Sequence, residues 1–279
     1  MTTLARQFQA LTSSLVTRFL TAPLVEGTKW QSTKAPQPMA ELLNVSFTLQ
    51  LGGAIDLVPY QEAIKPNLPW ADRHFIEERV SGEPINPGKT WKIWPYARSA
   101  AAHLREGENI PQYDHSYAER YWPKMAGLTP DGRLAGLDGA EYNDNDLGIR
   151  FPTGDLDDLV RVLIDDPLTR QAYLPIWFPE DIAAAKAGKR VPCTLGYHFI
   201  CRDEMLHVIY PMRSCDFIRH FRDDVYLTIR LLLWVLAELK FRSPEEWIDV
   251  NPGTFRMHIT SLHMFESDQK NLRAAEAQS

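Results

Sequence analysis

The stretch from Val191 to Arg222, VPCTLGYHFICRDEMLHVIYPMRSCDFIRHFR, gathers the residue types in this chain best suited to covalent chemistry. Cys193 offers a sulfur nucleophile, Arg213 and Ser214 offer a cation and a hydroxyl for an anionic group, and Asp216 and Asp224 offer carboxylates. Taken alone, a cysteine in an apolar segment is more often a small core residue than a nucleophile. Here Arg202, Arg213, Arg219, His220 and Arg222 make a local positive region in a chain of net charge −6. Such a region suits a phosphate and favours the thiolate form of a nearby cysteine.

The elements that must hold these residues follow from periodicity and turn chemistry. Residues 1–24 read as a helix, followed by a polar segment through Pro38. VSFTLQL, from Val45 to Leu51, alternates like a half-buried strand. The segment Pro59 to Pro95 is rich in proline and tryptophan, with a short helix around His74 to Val80 and a loop at NPGKTW. Helices are predicted at Ser116 to Lys124, Asp155 to Asp165, Asp224 to Leu239 and Met264 to Glu276. Strands are predicted at Ala172 to Trp177, Thr194 to Cys201, His207 to Met212 and Thr254 to Ser261. Residues 127–153, heavy in Gly, Asp and Asn, read as a surface excursion. Strands and helices interleave without a long linker, so one α/β domain over 1–279 is the expectation.

Composition bounds the partners. A net charge of −6 and the absence of a basic tail disfavour nucleic acid. Three cysteines, at 193, 201 and 215, form neither a disulfide framework nor a zinc-ligand spacing, so no metal and a reducing cytoplasm are expected. The N-terminus lacks a signal-peptide core, and the apolar run Leu227 to Leu239 is interrupted by Arg230 and too short to span a bilayer. No membrane association is expected.

Pro192-Cys193 followed by Arg213-Ser214-Cys215-Asp216 resembles the active-site block of thymidylate synthases and phage deoxycytidylate hydroxymethylases. The resemblance extends, more weakly, over residues 70–270. It implies an α/β fold with a mixed sheet packed by helices, and a homodimer formed sheet to sheet. It implies one-carbon transfer from 5,10-methylenetetrahydrofolate to C5 of a pyrimidine nucleotide, with Cys193 attacking C6. Arg213 and Ser214 then hold the 5′-phosphate, and Asp216 contacts the pterin. DPLTRQAYLPIWFPED (Asp166 to Asp181) is similar to the segment whose arginine reaches the phosphate held by the other subunit, implicating Arg170, with Gln171 in place of a second arginine. TWKIWP places Trp91 and Trp94 beside the folate, and SLHMF places His263 at the sugar, with Phe265 where the family has tyrosine. Tyr117, in SYAERYW, could line the pocket or the core. The chemistry also needs a carboxylic acid to move protons near the base. Glu77 or Glu78, in HFIEERVSG, is that acid by resemblance, and the sequence leaves the choice open.

Asp224 bears on which base is taken. It falls where thymidylate synthases carry an asparagine that reads uracil, whereas the phage hydroxymethylases carry aspartate. A carboxylate accepts from the cytosine N4 amino group, with one proton shared between ring N3 and the carboxyl. An alternative is that Asp223 or Asp224 caps the helix that follows. Thr194 stands as in the phage hydroxymethylases, where thymidylate synthases have histidine, and RAAEAQS lacks the Pro-x-Ala-Val ending of thymidylate synthases; both departures favour hydroxymethylation. The expectation is therefore conversion of dCMP to 5-hydroxymethyl-dCMP, in a phage setting and the host cytoplasm. Thymidylate synthase acting on dUMP, a CMP hydroxymethylase and an inactive nucleotide- or folate-binding homologue are the alternatives.

Overall fold

In the computed structural model, which describes residues 2–28, 37–97, 113–126 and 153–278, the strands are β1 (Leu24–Val25), β2 (Met39–Gln50), β3 (Tyr173–Pro175), β4 (Gly196–Arg202), β5 (Met205–Asp216) and β6 (Asn251–Phe265). The helices are α1 (Thr3–Thr21), α2 (Val58–Ile64), α3 (Trp70–His74), α4 (Tyr117–Tyr121), α5 (Pro123–Ala126), α6 (Leu156–Asp165), α7 (Glu180–Lys186), α8 (Phe221–Arg242), α9 (Pro244–Trp247) and α10 (Glu266–Glu276). A π turn spans Phe75–Arg79 and a 3₁₀ turn spans Lys89–Ile93. The excursion expected over 127–153 lies, except for its last residue, outside the described residues. The chain divides into two compact units. The first joins Met1–Pro66 to Cys193–Ser279, and the second is Asn67–Pro192.

The first unit carries a mixed sheet in the order β1-β2-β6-β5-β4. β2 runs antiparallel to β6, β4 antiparallel to β5, and β5 parallel to β6. The parallel pair requires a crossover, which α8 supplies by packing on both strands. Asp203 and Glu204, both at positive φ, make the two-residue turn between β4 and β5, matching the twist that hairpins prefer. In α1, Phe8, Leu15 and Phe19 recur on one face and are buried, and Thr2 caps the helix by accepting from the Ala5 N–H at 3.2 Å.

Phe221, fully buried, fixes where α8 begins. Its ring stacks on Phe8 at 6.1 Å and meets Phe47 at 5.8 Å and Phe217 at 5.4 Å. The helix therefore starts at Phe221, three residues before the predicted Asp224, and its N-cap is His220. This corrects the capping expectation. Asp223 and Asp224 lie inside the first turn, where their charge suits the helix dipole but neither serves as the cap.

Among its described residues the second unit carries α3 to α7, the π and 3₁₀ turns and the short strand β3. α2, in the first unit, and α7, here, are helices that the sequence reading passes over, with Pro59 in the first turn of α2 and Pro179 just before α7. Proline is tolerated there because its missing N–H would be unpaired anyway. A buried two-pronged ion pair ties α4 to the start of α7. Arg120 donates to Asp181 at 3.0 and 2.9 Å, and Asp181 also accepts from the Phe178 N–H at 2.9 Å. No helix among the described residues is long and apolar enough to cross a membrane.

Candidate active site

In the first unit, the backbone ladder sets the cysteine beside its arginine. Thr194 bridges Met212 antiparallel to β5, and the Arg213 N–H donates to the Cys193 carbonyl at 2.9 Å. The register brings the Arg213 Nη2 to 3.8 Å from the Cys193 Sγ, at a half-buried position. A guanidinium at that distance, with limited water around it, counters negative charge on the sulfur. Two other basic residues of the segment are engaged elsewhere. Arg219 pairs with Asp216 at 3.0 Å and Asp268 at 2.6 Å, and the Arg222 guanidinium donates to the Ile64 carbonyl. The broad positive region read from sequence thus resolves, at the sulfur, to Arg213.

Parallel pairing of β5 with β6 sets Asp216 opposite His263 and Ser214 opposite Ser261. The Ser214 Oγ lies 3.3 Å from the His263 Nδ1. Burial pushes the His263 imidazole below its usual pKa, so it is neutral at pH 7. Asp216 is buried, and three of its roughly four acceptor positions are filled. Oδ1 accepts from the Ile218 and Arg219 N–H groups, both at 2.9 Å, and Oδ2 accepts from the Arg219 guanidinium. The Arg219 guanidinium also covers the Phe265 ring at 4.6 Å. Asp224, in the first turn of α8, accepts from the Cys215 Sγ at 3.5 Å through Oδ2. Burial pushes the Cys215 thiol well up, with the nearby Asp224 and Asp216 adding to it, so Cys215 stays a donor. Thr194 is fully buried, with its Oγ1 2.8 Å from the Tyr210 hydroxyl.

In the second unit the two candidate acids separate. Glu77 is exposed and tied to Arg73 at 2.6 Å, which holds its carboxyl below the usual range. Glu78 is buried. Its Oε1 accepts from the Thr90 N–H and the Thr90 hydroxyl, both at 2.7 Å, and its Oε2 lies 2.8 Å from the His74 Nδ1. Burial pushes Glu78 up, but these bonds outweigh it and hold the carboxyl below its ordinary value.

Gly88 is required for this seat. A Cβ there would lie 1.7 Å from the Glu78 carboxyl carbon, although the backbone φ of −69° would suit any residue. Gly88→Ala is therefore expected to eject the carboxyl from its pocket. It should lower any Glu78-dependent turnover by about 10²-fold, on the scale of acid–base contributions, while nucleotide affinity changes little. Steady-state kinetics alongside equilibrium binding would check this.

Of the remaining predicted residues, Tyr117 is half-buried with the Arg79 guanidinium 4.3 Å from its ring centre. Trp91 meets the Tyr113 ring edge-on at 6.5 Å, and Trp94 packs against Trp70 at 5.7 Å and Tyr96 at 5.1 Å. Both tryptophans are half-buried, leaving indole surface for a planar ligand. Arg170 is exposed. The sequence reading does not single out His74, Gly88, Thr90 or Arg79. The available signals were a histidine four residues before a glutamate and a glycine in a proline loop, and both are common. Among the described residues, no cluster of His, Cys, Asp and Glu could hold a metal ion.

No protein-family model matches the chain. A curated protein of Methanosarcina mazei named "Putative thymidylate synthase" is 24% identical over 171 residues, covering 60% of this chain and 60% of that protein. This chain thus matches rather less than two thirds of that relative's length. Thymidylate synthase A of Bacillus subtilis superposes with a TM-score of 0.56 at 13% identity, covering 97% of this chain and 83% of that one. Thymidylate synthase from T4 phage gives 0.57 at 11%, covering 97% and 80%. With its mixed sheet, its α8 crossover and the likeness to both solved enzymes along nearly its whole length, the chain has the thymidylate synthase fold.

Proposed function

We propose that this protein transfers a one-carbon unit from 5,10-methylenetetrahydrofolate to C5 of a pyrimidine nucleotide, and that its reaction is dCMP plus the folate plus water giving 5-hydroxymethyl-dCMP and tetrahydrofolate. The observation that carries the reading is the Arg213 guanidinium held 3.8 Å from the Cys193 sulfur by the strand register. Pyrimidine C5 is a poor nucleophile until something adds to C6. The Cys193 thiolate forms a C–S bond there, and the electron pair of the C5–C6 double bond moves to C5, which can then attack an electrophilic carbon. After C5 loses its proton, the bond between the transferred carbon and the folate nitrogen breaks, releasing tetrahydrofolate and leaving an exocyclic methylene; water adds to that carbon, and breaking the C–S bond restores the ring as the thiolate leaves. The folate supplies carbon at the oxidation level of formaldehyde, which water converts to hydroxymethyl and a hydride from the folate would convert to methyl.

The chain's own residues divide the remaining work. Arg213 and Ser214 bind the 5′-phosphate, with His263 at the sugar. Glu78 relays protons near the base, and Trp91, Trp94 and Asp216 receive the folate. Arg170 serves the phosphate in the neighbouring subunit of a homodimer, a role consistent with its exposure. Asp224 selects cytosine. A carboxylate accepts and does not donate, which suits the N4 amino group of cytosine, and the Cys215 thiol donates to the same side chain. Thr194, which stands as in the phage hydroxymethylases, supports the choice of water over hydride.

Asp224→Asn is expected to shift the ratio of kcat/KM for dCMP over dUMP towards dUMP by about 5- to 150-fold, equivalent to the ~1–3 kcal/mol of one hydrogen-bond pattern. Unchanged selectivity would remove the base-reading role. Mass spectrometry of the products from dCMP, CMP and dUMP tests the whole reading. A gain of CH2O on dCMP is expected, whereas a gain of CH2 on dUMP, with dihydrofolate formed, would make this a thymidylate synthase. Gln171 and Phe265, both departures from the family pattern, favour a second reading as a nucleotide-binding homologue without turnover. Nucleotide binding with no exchange of tritium from C5 of any of the three would establish it.

A further inference from the structure

The strongest unassigned arrangement surrounds Glu78. α3 runs directly into the π turn Phe75–Arg79, which is closed by the Val80 N–H donating to the Phe75 carbonyl at 3.1 Å. In an α-helix, residue i+4 lies over residue i; the wider π turn brings i+5 there as well. His74 is consequently gripped from two sides. Its Nδ1 lies 2.8 Å from the Glu78 Oε2, and the Arg79 Nε donates to its Nε2 at 3.0 Å. The indole of Trp70 stacks on the imidazole with ring centres 4.9 Å apart and planes 11° from parallel, fixing its tilt. Thr90 closes the far side, with its hydroxyl 3.4 Å from Nδ1 and 2.7 Å from the Glu78 Oε1.

The donor inventory assigns the proton. A guanidinium only donates, so Nε2 must accept, and the single imidazole proton sits on Nδ1, pointing at Glu78. A protonated imidazole would present N–H to N–H at Arg79. We propose that His74, locked by Arg79 and Trp70 as the neutral Nδ1–H tautomer, is a positioning residue that aims the Glu78 carboxyl and keeps it ionised, so that each catalytic cycle begins with Glu78 ready to take a proton. This rests on the reading of Glu78 as the proton-relaying carboxyl. Burial of His74, which disfavours its charged form, agrees with the tautomer. The other charged and titratable groups around the pair are Arg73, Glu77 and Arg79 on the same helical run, with Lys89 and Tyr113 from the segments beside it. Tyr113, pushed by burial to about 12, stays protonated throughout the working range.

The test combines a readout that needs no turnover with one that does. In ¹⁵N-histidine NMR of the intact protein, His74 should show the Nδ1–H tautomer and no protonation between about pH 5.5 and 8, where a free imidazole titrates. In pH–rate profiles with dCMP and the folate, His74→Phe should move the acid limb up by about one pH unit or more. It should lower kcat about tenfold or more and leave KM for dCMP nearly unchanged. His74→Gln, which can both donate to Glu78 and accept from Arg79, should restore the wild-type limb. An Nε2–H tautomer, titration of His74 in that range, or an unmoved acid limb in His74→Phe would overturn the proposal. A fully active Glu78→Gln enzyme would instead remove the underlying reading of Glu78, and the functional part of this one with it.

Discussion

Cys193→Ser is expected to abolish tritium exchange from C5 of dCMP and product formation, by at least about 10³-fold, while dCMP still binds within a few-fold of wild type. The loss is large because the step demands an anionic nucleophile, and a serine hydroxyl is a far weaker acid and a poorer nucleophile than a thiol. Binding should survive because the groups assigned to the phosphate, Arg213 and Ser214, stand on β5, whose pairing with β6 does not involve the sulfur. Cys201→Ser is the control, since Cys201 is buried in β4 and burial raises its thiol pKa. Exchange rates measured with equilibrium binding decide the matter. A Cys193→Ser protein that keeps more than about a tenth of wild-type exchange would end the covalent reading.

Glu78→Gln should lower kcat by about 10²- to 10⁴-fold, the range for a positioned acid–base group, while Glu77→Gln stays near wild type. The two glutamates are adjacent in sequence but physically unlike. Glu77 is exposed and its charge is spent on Arg73, whereas Glu78 is buried with three hydrogen bonds converging on it. The same contrast has a stability consequence. Because the carboxyl of folded Glu78 is held below its ordinary value, its contribution to stability is fully present above the unfolded value and is lost as pH falls through the lower folded one. Denaturant unfolding of wild type and Glu78→Gln should therefore differ near neutrality and converge at strongly acidic pH. Equal kcat losses in the two variants would show that the burial difference is not the one that matters for catalysis.

The block from Cys193 to Asp216 was legible because its chemistry is compressed into one hairpin and the strand beside it. There, alternation of buried residues and a short turn are local signals. Boundaries were less so. β2 begins at Met39 rather than Val45 and β6 extends to Phe265, because pairing between the two strands continues past the clearest alternation. The start of α8 was displaced because Arg222, Asp223 and Asp224 look like a polar entry to a helix. Phe221, buried among three other rings, holds the first turn in place. The resemblance, not periodicity, carried the fold class, and the overlay on two thymidylate synthases agrees with it.

The sequence by itself determined that the candidate nucleophile, its arginine and the carboxylates share one short segment, and it placed the main strands and the long helix around it, since these depend on near neighbours in the chain. Tertiary structure alone decided that Glu78 rather than Glu77 is the enclosed acid, and that Arg219 and Arg222 are turned away to other partners. Which of two adjacent carboxylates is buried depends on the rotation of one helical turn. That rotation is set by a π register and by Thr90 and Gly88 arriving from another segment, through contacts that no local pattern encodes.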